Sequence, residues 1–219
     1  MRGTTILVIA KEPVPGRAKT RLSPPCTPDE AASLAEAALR QTLTTVARVG
    51  ADRHLLVLDG RPGRWLPAGF EVVPQCEGDL AARLAAAFDA VDGPALLVGM
   101  DTPQLSATVL RHALATLRHH DAVLGLASDG GWWSLGLRSP VHGLFDGVPM
   151  STAVTGATQH RRLRALGLRT RLLPVLRDVD CFADALEVAA LDSKSEFAAA
   201  VDRVTRAVRK RSAALASVR

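Results

Sequence analysis

Apolar residues in this chain fall into short unbroken runs, separated by segments with helical spacing. The run Thr5-Ile6-Leu7-Val8-Ile9-Ala10 and the runs at 55–58 and 96–98 are apolar at consecutive positions. That is the signature of strands covered on both faces. The pattern predicts strands over 4–10, 54–58, 71–73, 95–99, 122–126 and 132–137, with another near 169–174. Helices are predicted over 28–48, 79–91, 106–118, 152–166, 182–191 and 193–211. The first helix has strong start signals. Thr27 can cap it, Pro28 takes the first helical position, and Asp29 and Glu30 complement the helix dipole; Gly50 marks its end. Ser106 is placed to cap the third helix. Strand and helix alternate, which implies an α/β fold with a mostly parallel central sheet. No repeat or Gly/Ser linker interrupts it, so a single domain is expected. Residues 1–192 form its body, and 193–219 form a C-terminal basic helix or tail packed on or extending from it.

Composition narrows the class. With 47% hydrophobic residues in 219, the chain has material for a full core, and disorder is excluded. Tyrosine is absent, so the core relies on Leu, Val and Ala. Cys26, Cys76 and Cys181 lack metal-ligand spacing and read as free thiols of a reducing compartment, which makes a cytoplasmic location the expectation. The N-terminal apolar run is too short for a signal peptide, and no run reaches membrane-spanning length. The net charge is +5, and residues 195–219 hold six cations against Glu196 and Asp202, so +4 of it lies there. No aromatic residues interleave with those cations, so nucleic acid is not an expected partner. A homo-oligomer is allowed but not indicated.

Candidate chemistry sits where strands end, the usual ligand side of an open α/β sheet. After the first strand comes Lys11-Glu12-Pro13-Val14-Pro15-Gly16-Arg17-Ala18-Lys19-Thr20-Arg21. Pro13 and Pro15 stiffen the loop, Gly16 permits a turn, and Arg17, Lys19 and Arg21 can hold phosphate. It is not a Gly-x-x-x-x-Gly-Lys-Ser/Thr loop, and a solvated basic loop is the plain alternative. Asp101 directly follows the fourth strand, where a carboxylate can hold Mg²⁺ or Mn²⁺, or simply turn the chain. Asp180, in Asp178-Val179-Asp180, is a second candidate metal ligand, with helix capping as its alternative; Asp178 can orient a loop or pair with Arg177. Asp129, before Gly130 and Gly131, can orient an acceptor hydroxyl or act as a base. Trp132 and Trp133 should point to opposite faces, one to the core and the other to an acceptor or sugar pocket, with a structural role for both as the alternative. Asp79 and Arg83 open the second helix, and Asp79 can be just its cap. Ser151 or Thr152 can cap the fourth helix or touch a ligand phosphate. The six histidines show no zinc-like spacing, and His119, His120 and His160 read as surface residues.

The order of these motifs resembles a known family. Lys11-x-Pro13-x-Pro15-Gly16-x-x-Lys19-Thr20-Arg21-Leu22, Gln75-x-x-Gly78-Asp79-Leu80-x-x-Arg83, Gly99-x-Asp101-x-Pro103, Asp129-Gly130-Gly131, Pro149-x-Ser151-Thr152 and Asp178-Val179-Asp180 run in its sequence. The chain is similar, from about Ile6 to Leu191, to glycosyltransferase-like proteins of undefined function associated with arsenosugar biosynthesis. Their fold is GT-A-like, a three-layer nucleotide-diphospho-sugar transferase sandwich, related to small-molecule nucleotidyltransferases. The chain departs at Leu126 (often Pro), Trp132-Trp133 (often two Tyr) and Met150 (often Trp), all on the acceptor side.

The resemblance implies metal-dependent transfer of a sugar from a nucleotide diphosphate sugar to a small acceptor. Asp101 and Asp180 would bind Mg²⁺ or Mn²⁺. Pro15, Gly16, Arg17, Lys19 and Arg21 would surround the diphosphate, with Asp79 and Arg83 framing the nucleotide. Lys19, Asp101 and Asp129 are the catalytic candidates. The alternative is nucleotidyl transfer from an NTP to a phosphorylated metabolite, with pyrophosphate leaving. A nucleotide-binding protein without catalysis is a third reading.

Overall fold

The computed structural model describes residues 3–216. Arg219, counted above in the basic tail, lies outside the described residues. The elements run β1 (Thr5–Lys11), a 3-10 turn (Thr20–Leu22), α1 (Pro28–Ala47), β2 (Arg53–Asp59), β3 (Glu71–Pro74), α2 (Leu80–Asp89), β4 (Ala95–Gly99), α3 (Ala107–Thr116), β5 (Ala122–Ala127), β6 (Trp132–Leu137), α4 (Thr155–Ala165), β7 (Thr170–Leu176), α5 (Phe182–Leu191) and α6 (Glu196–Ala216).

The strands form one sheet in the order β3-β2-β1-β4-β6-β5-β7. β1 pairs in parallel with β2 and β4, β2 with β3, and β5 with β7. β6 alone runs back, antiparallel to both β4 and β5. The mostly parallel α/β sandwich expected from the pattern is therefore the observed fold. The other six strands share a direction, so their carboxyl ends open on one edge.

Alternation along β1 distributes its side chains. Ile6, Val8 and Ala10 pack with Leu39 and Leu43 of α1 and Leu110 of α3, while Leu7 faces Leu84 and Phe88 of α2 and Leu163 of α4. α1 is covered twice. Ala35, Leu39 and Leu43 meet the sheet, and Ala31, Leu34 and Ala38 meet α5 and α6 through Ala185, Phe197 and Val201. The alanines let three layers approach closely. Burying Phe197 alone contributes about 2–3 kcal/mol. α1 begins with Thr27 as the expected cap, and Glu30 goes beyond its expected dipole role by closing a capping box: Glu30 N donates to Thr27 Oγ1 at 3.2 Å, and Thr27 N donates to Glu30 Oε2 at 2.8 Å. Arg211 of α6 forks onto Glu30 at 2.5 and 2.7 Å and also donates to Pro25 O. That ties the basic helix to the start of α1.

α4 departs from the pattern: it starts at Thr155 rather than 152, without a side-chain cap. Thr155 Oγ1 donates to Pro149 O at 2.7 Å and accepts from Thr152 N at 3.0 Å, which folds 149–154 into a loop before the helix. Ser151 sits at φ 58 within it. His120 and His160 are half-buried, whereas His119 is exposed as expected. All three cysteines are free. Among the described residues, no helix is long and apolar enough to cross a membrane.

Candidate active site

The strand ends bring their candidate residues to a cleft of about 650 Å³. Lys11, Gln75, Asp101, Asp129, Asp178 and Asp180 reach it from the ends of β1, β3, β4, β5 and β7. A hollow of about 1050 Å³ lies at the opposite end of the sheet, against Thr4, Pro94 and Arg138, and holds none of these groups.

Lys19 is the centre of the arrangement. Ala18 and Leu22 on either side of it are buried, and Lys19 itself adopts a left-handed conformation at φ 49. The loop is thereby anchored, and the Lys19 ammonium lies 3.0 Å from Asp101 Oδ1 and 2.9 Å from Asp180 Oδ1. Arg21 reaches Asp180 Oδ2 at 3.5 Å. The Asp101 and Asp180 segments meet because Val179 N donates to Asp101 O at 2.9 Å. Burial, the largest influence, disfavours the Lys19 charge, but Asp101 and Asp180 together outweigh it and hold its pKa above the ordinary value. Pro15, Gly16 and Arg17 are exposed and do not line the main cleft. Arg17 borders two adjoining hollows, one of them shared with Lys19, Asp101 and Asp180.

Carboxylates crowd around Asp178. Burial, then Asp101 and Asp129, push the Asp178 carboxyl up to about 7; Lys19 opposes them, and Asp180 adds a smaller upward push. Pairing of Asp178 with Arg177 does not occur. Arg177 points to α5 and pairs with Asp184 and Glu187, both at 3.0 Å. Asp184 also accepts from the Asp180 and Cys181 amides, fixing the 178–180 segment against α5.

Asp129 Oδ1 accepts from Gly131 N at 2.8 Å, bracing the hairpin turn between β5 and β6. Trp133 is buried and donates from Nε1 to Pro174 O at 3.0 Å. Trp132 lines the cleft and stacks on Phe145. The two tryptophans thus face opposite ways, as the strand period requires. Met150, Ser151 and Thr152 complete that wall.

On the other wall, Gln75 Nε2 donates to Ala10 O at 2.8 Å and to Val57 O at 3.3 Å. Arg83 donates to Gly78 O at 3.0 Å and lies 3.7 Å from Asp59. Both line the cleft. Asp79 does not; it caps α2 by accepting from Ala82 N at 2.9 Å. The sequence pattern offers Asp178 only as a loop-orienting residue or a partner of Arg177, and assigns Gln75 no contact. Both lie inside motifs of the family resemblance, Gln75-x-x-Gly78-Asp79 and Asp178-Val179-Asp180, which is a usable signal for each. The raised Asp178 pKa depends on carboxylates converging from separate strands, and no local pattern encodes that.

Among the described residues, no three acidic, histidine or cysteine side chains alone form a group able to hold a metal ion. The donor set nevertheless fits a hard divalent cation that takes one or two carboxylates from protein and other oxygens from phosphate. Asp101 Oδ1 is buried without a hydrogen bond, its ion pair with Lys19 apart, and Asp180 Oδ1 faces the same ammonium.

The profile of a family described as "Uncharacterized protein conserved in bacteria (DUF2064)" matches residues 31–152, more than half of the chain. The chain belongs to this family. It is also 35% identical over 187 residues to a 3-phospho-D-glycerate guanylyltransferase of Phenylobacterium zucineum (strain HLK1), covering 78% of this chain and 84% of that protein. A crystal structure from Desulfovibrio desulfuricans G20, provisionally assigned as a nucleotide-diphospho-sugar transferase, superposes with a TM-score of 0.83 at 27% identity, covering 94% of this chain and 97% of that one. A Mycobacterium tuberculosis H37Rv protein crystallised with manganese shares the fold at 19% identity and a TM-score of 0.50, covering 85% and 97%. This member of DUF2064 thus has a GT-A-like, nucleotidyltransferase-related fold. The tie to arsenosugar biosynthesis goes beyond what these similarities carry.

Proposed function

We propose that the chain is a metal-dependent nucleotidyltransferase that moves a nucleoside monophosphate from an NTP to a phosphorylated small metabolite. The observation that carries this reading is the Lys19–Asp101–Asp180 cluster beside an open cleft at the strand ends. The similarity to a 3-phospho-D-glycerate guanylyltransferase supports nucleotidyl over glycosyl transfer and makes GTP with 3-phospho-D-glycerate the first substrate pair to test.

In this reaction an acceptor phosphate oxygen bonds to the α-phosphorus of the NTP. The bond from that phosphorus to the bridging oxygen breaks, and pyrophosphate leaves. An acceptor phosphate is already anionic, so no base is required, and Asp129 serves by bracing the acceptor-side turn. Asp101 and Asp180 would hold Mg²⁺ or Mn²⁺; bound there, the ion would neutralise charge gathering on the phosphates. Lys19 and Arg21 add positive charge beside the same oxygens. Gln75 and Arg83 frame the base, while Met150, Ser151, Thr152 and Trp132 face the acceptor.

Glycosyl transfer remains the second reading, favoured by the similarity to the Desulfovibrio protein and by the Trp132 ring in the cleft. Products separate the two. With Mg²⁺ or Mn²⁺, NTPs and nucleotide sugars are offered with phosphorylated acceptors and the products are read by mass spectrometry. Pyrophosphate with a nucleotidylated acceptor is expected. A free nucleoside diphosphate with a glycosylated acceptor would replace this reading with the second.

A further inference from the structure

The geometry points to Lys19 as an exchangeable occupant of the cation site: its ammonium bridges Asp101 and Asp180 until a divalent cation arrives with nucleotide phosphates, and it then moves onto those phosphates. This rests on the nucleotidyl-transfer reading in taking Asp101 and Asp180 as the cation's ligands.

The ammonium stands within 3.0 Å of one oxygen of each carboxylate, and its side chain is only 11% exposed. A Mg²⁺ ion bound by the same two oxygens would sit about 2.1 Å from each. It would then lie no more than about 5 Å from the ammonium, like charge against like charge in a partly buried site. The cation and Lys19 therefore compete for the same carboxylate pair. Arg21 does not take over the bridge: its contact is on the other Asp180 oxygen, at 3.5 Å, and its side chain is largely exposed.

Displaced from the carboxylates, the ammonium needs another anion. Nucleotide phosphates supply one and also complete the cation's coordination. The site should then bind cation alone weakly, and cation and nucleotide with positive coupling. Removing the Lys19 charge should move two affinities in opposite directions: cation alone binds tighter, and nucleotide binds more weakly. A lysine that only shapes the loop would weaken both.

The test measures Mn²⁺ binding without nucleotide, by electron paramagnetic resonance of the free ion, for wild type and Lys19→Met. A tightening of about tenfold or more is expected in the variant. Equal or weaker binding by a folded variant overturns the proposal, as does absence of Mn²⁺ binding by both proteins. A second measurement covers a variant that fails to fold. Acetylation of Lys19 in the wild-type protein is followed by mass spectrometry as Mn²⁺ is raised. Reactivity should increase as the ion displaces the amine, and unchanged reactivity at high Mn²⁺ overturns the proposal. Neither measurement involves turnover, so failure to release pyrophosphate would leave them standing and count only against the reaction proposed above.

Discussion

Replacing Gly130 with alanine should disturb both the fold and the acceptor side of the cleft. Gly130 sits at φ +92, and a Cβ there would lie 2.0 Å from Ala153 O and 2.6 Å from Ala153 C. These are backbone atoms, so no side-chain tip can swing aside. Gly130 O also accepts from Gly156 N at 2.8 Å, joining the hairpin turn to the start of α4. Left-handed strain costs roughly 1–2 kcal/mol, and losing that hydrogen bond costs about 1 more. The sum, about 2–3 kcal/mol, corresponds in a chain of this size to a melting temperature lower by roughly 4–12 °C. Gly131→Ala is the internal control. Its φ is not in the left-handed region, and its nearest neighbour is the Asp129 carboxylate at 3.1 Å, a side chain that can yield; the expected cost is under about 1 kcal/mol. Differential scanning calorimetry reads both. Because the turn carries the Ser151–Thr152 wall, the acceptor KM should rise in Gly130→Ala while donor affinity holds. A Gly130→Ala protein melting within about 2 °C of wild type, or no lower than Gly131→Ala, would refute the reasoning.

Asp101→Asn should lower pyrophosphate release roughly a hundredfold by removing a cation ligand; full turnover would take Asp101 out of that role. Asp79→Ala should cost about 1 kcal/mol in denaturant unfolding through loss of the α2 cap, with nucleotide Kd unchanged; a large loss of affinity would return Asp79 to the donor site. The Arg211 hydrogen bond, chiefly, holds the Glu30 carboxyl below the ordinary carboxylate range. A depressed folded-state pKa gives stability that is present above the unfolded value and fades as pH falls through the folded one. Arg211→Ala should therefore destabilise the protein at neutral pH and differ less from wild type as the solution is acidified below the normal glutamate range. A pH-independent difference in melting temperature would contradict that coupling.

Local patterns carried much of the fold. Consecutive apolar residues marked β1, β2 and β4 because helices cover both faces of those strands, and Thr27-Pro28-Asp29-Glu30 marked α1 because capping is local chemistry. α4 starts at Thr155 rather than at the Ser151 or Thr152 cap that the pattern suggests, since Thr155 takes the Thr152 amide and Pro149 carbonyl into a loop. The reversed direction of β6 follows from the short turn through Gly130 and Gly131, because residues 127–131 are too few for a crossover between parallel strands. At the site, residues at strand ends were legible individually because topology sends those ends to one edge. Their pairing was not. Lys19 meets Asp180 across 161 positions of sequence, and Arg177 turns away from Asp178 to α5. Asp79 reads from the sequence as a nucleotide contact or a helix cap; the structure shows the cap, and the neighbouring Leu80 and Arg83 line the cleft.

The most direct test of nucleotidyl transfer follows the α-phosphate. The protein is incubated with GTP labelled at the α-phosphorus, 3-phospho-D-glycerate and Mg²⁺ or Mn²⁺, then treated with phosphatase. Nucleotidyl transfer predicts label retained in a phosphatase-resistant, acceptor-dependent product, with one pyrophosphate released for each product formed and loss of both in Asp101→Asn. The contrary result is full release of the label by phosphatase with no pyrophosphate from any NTP, alongside nucleoside diphosphate formation from a nucleotide sugar.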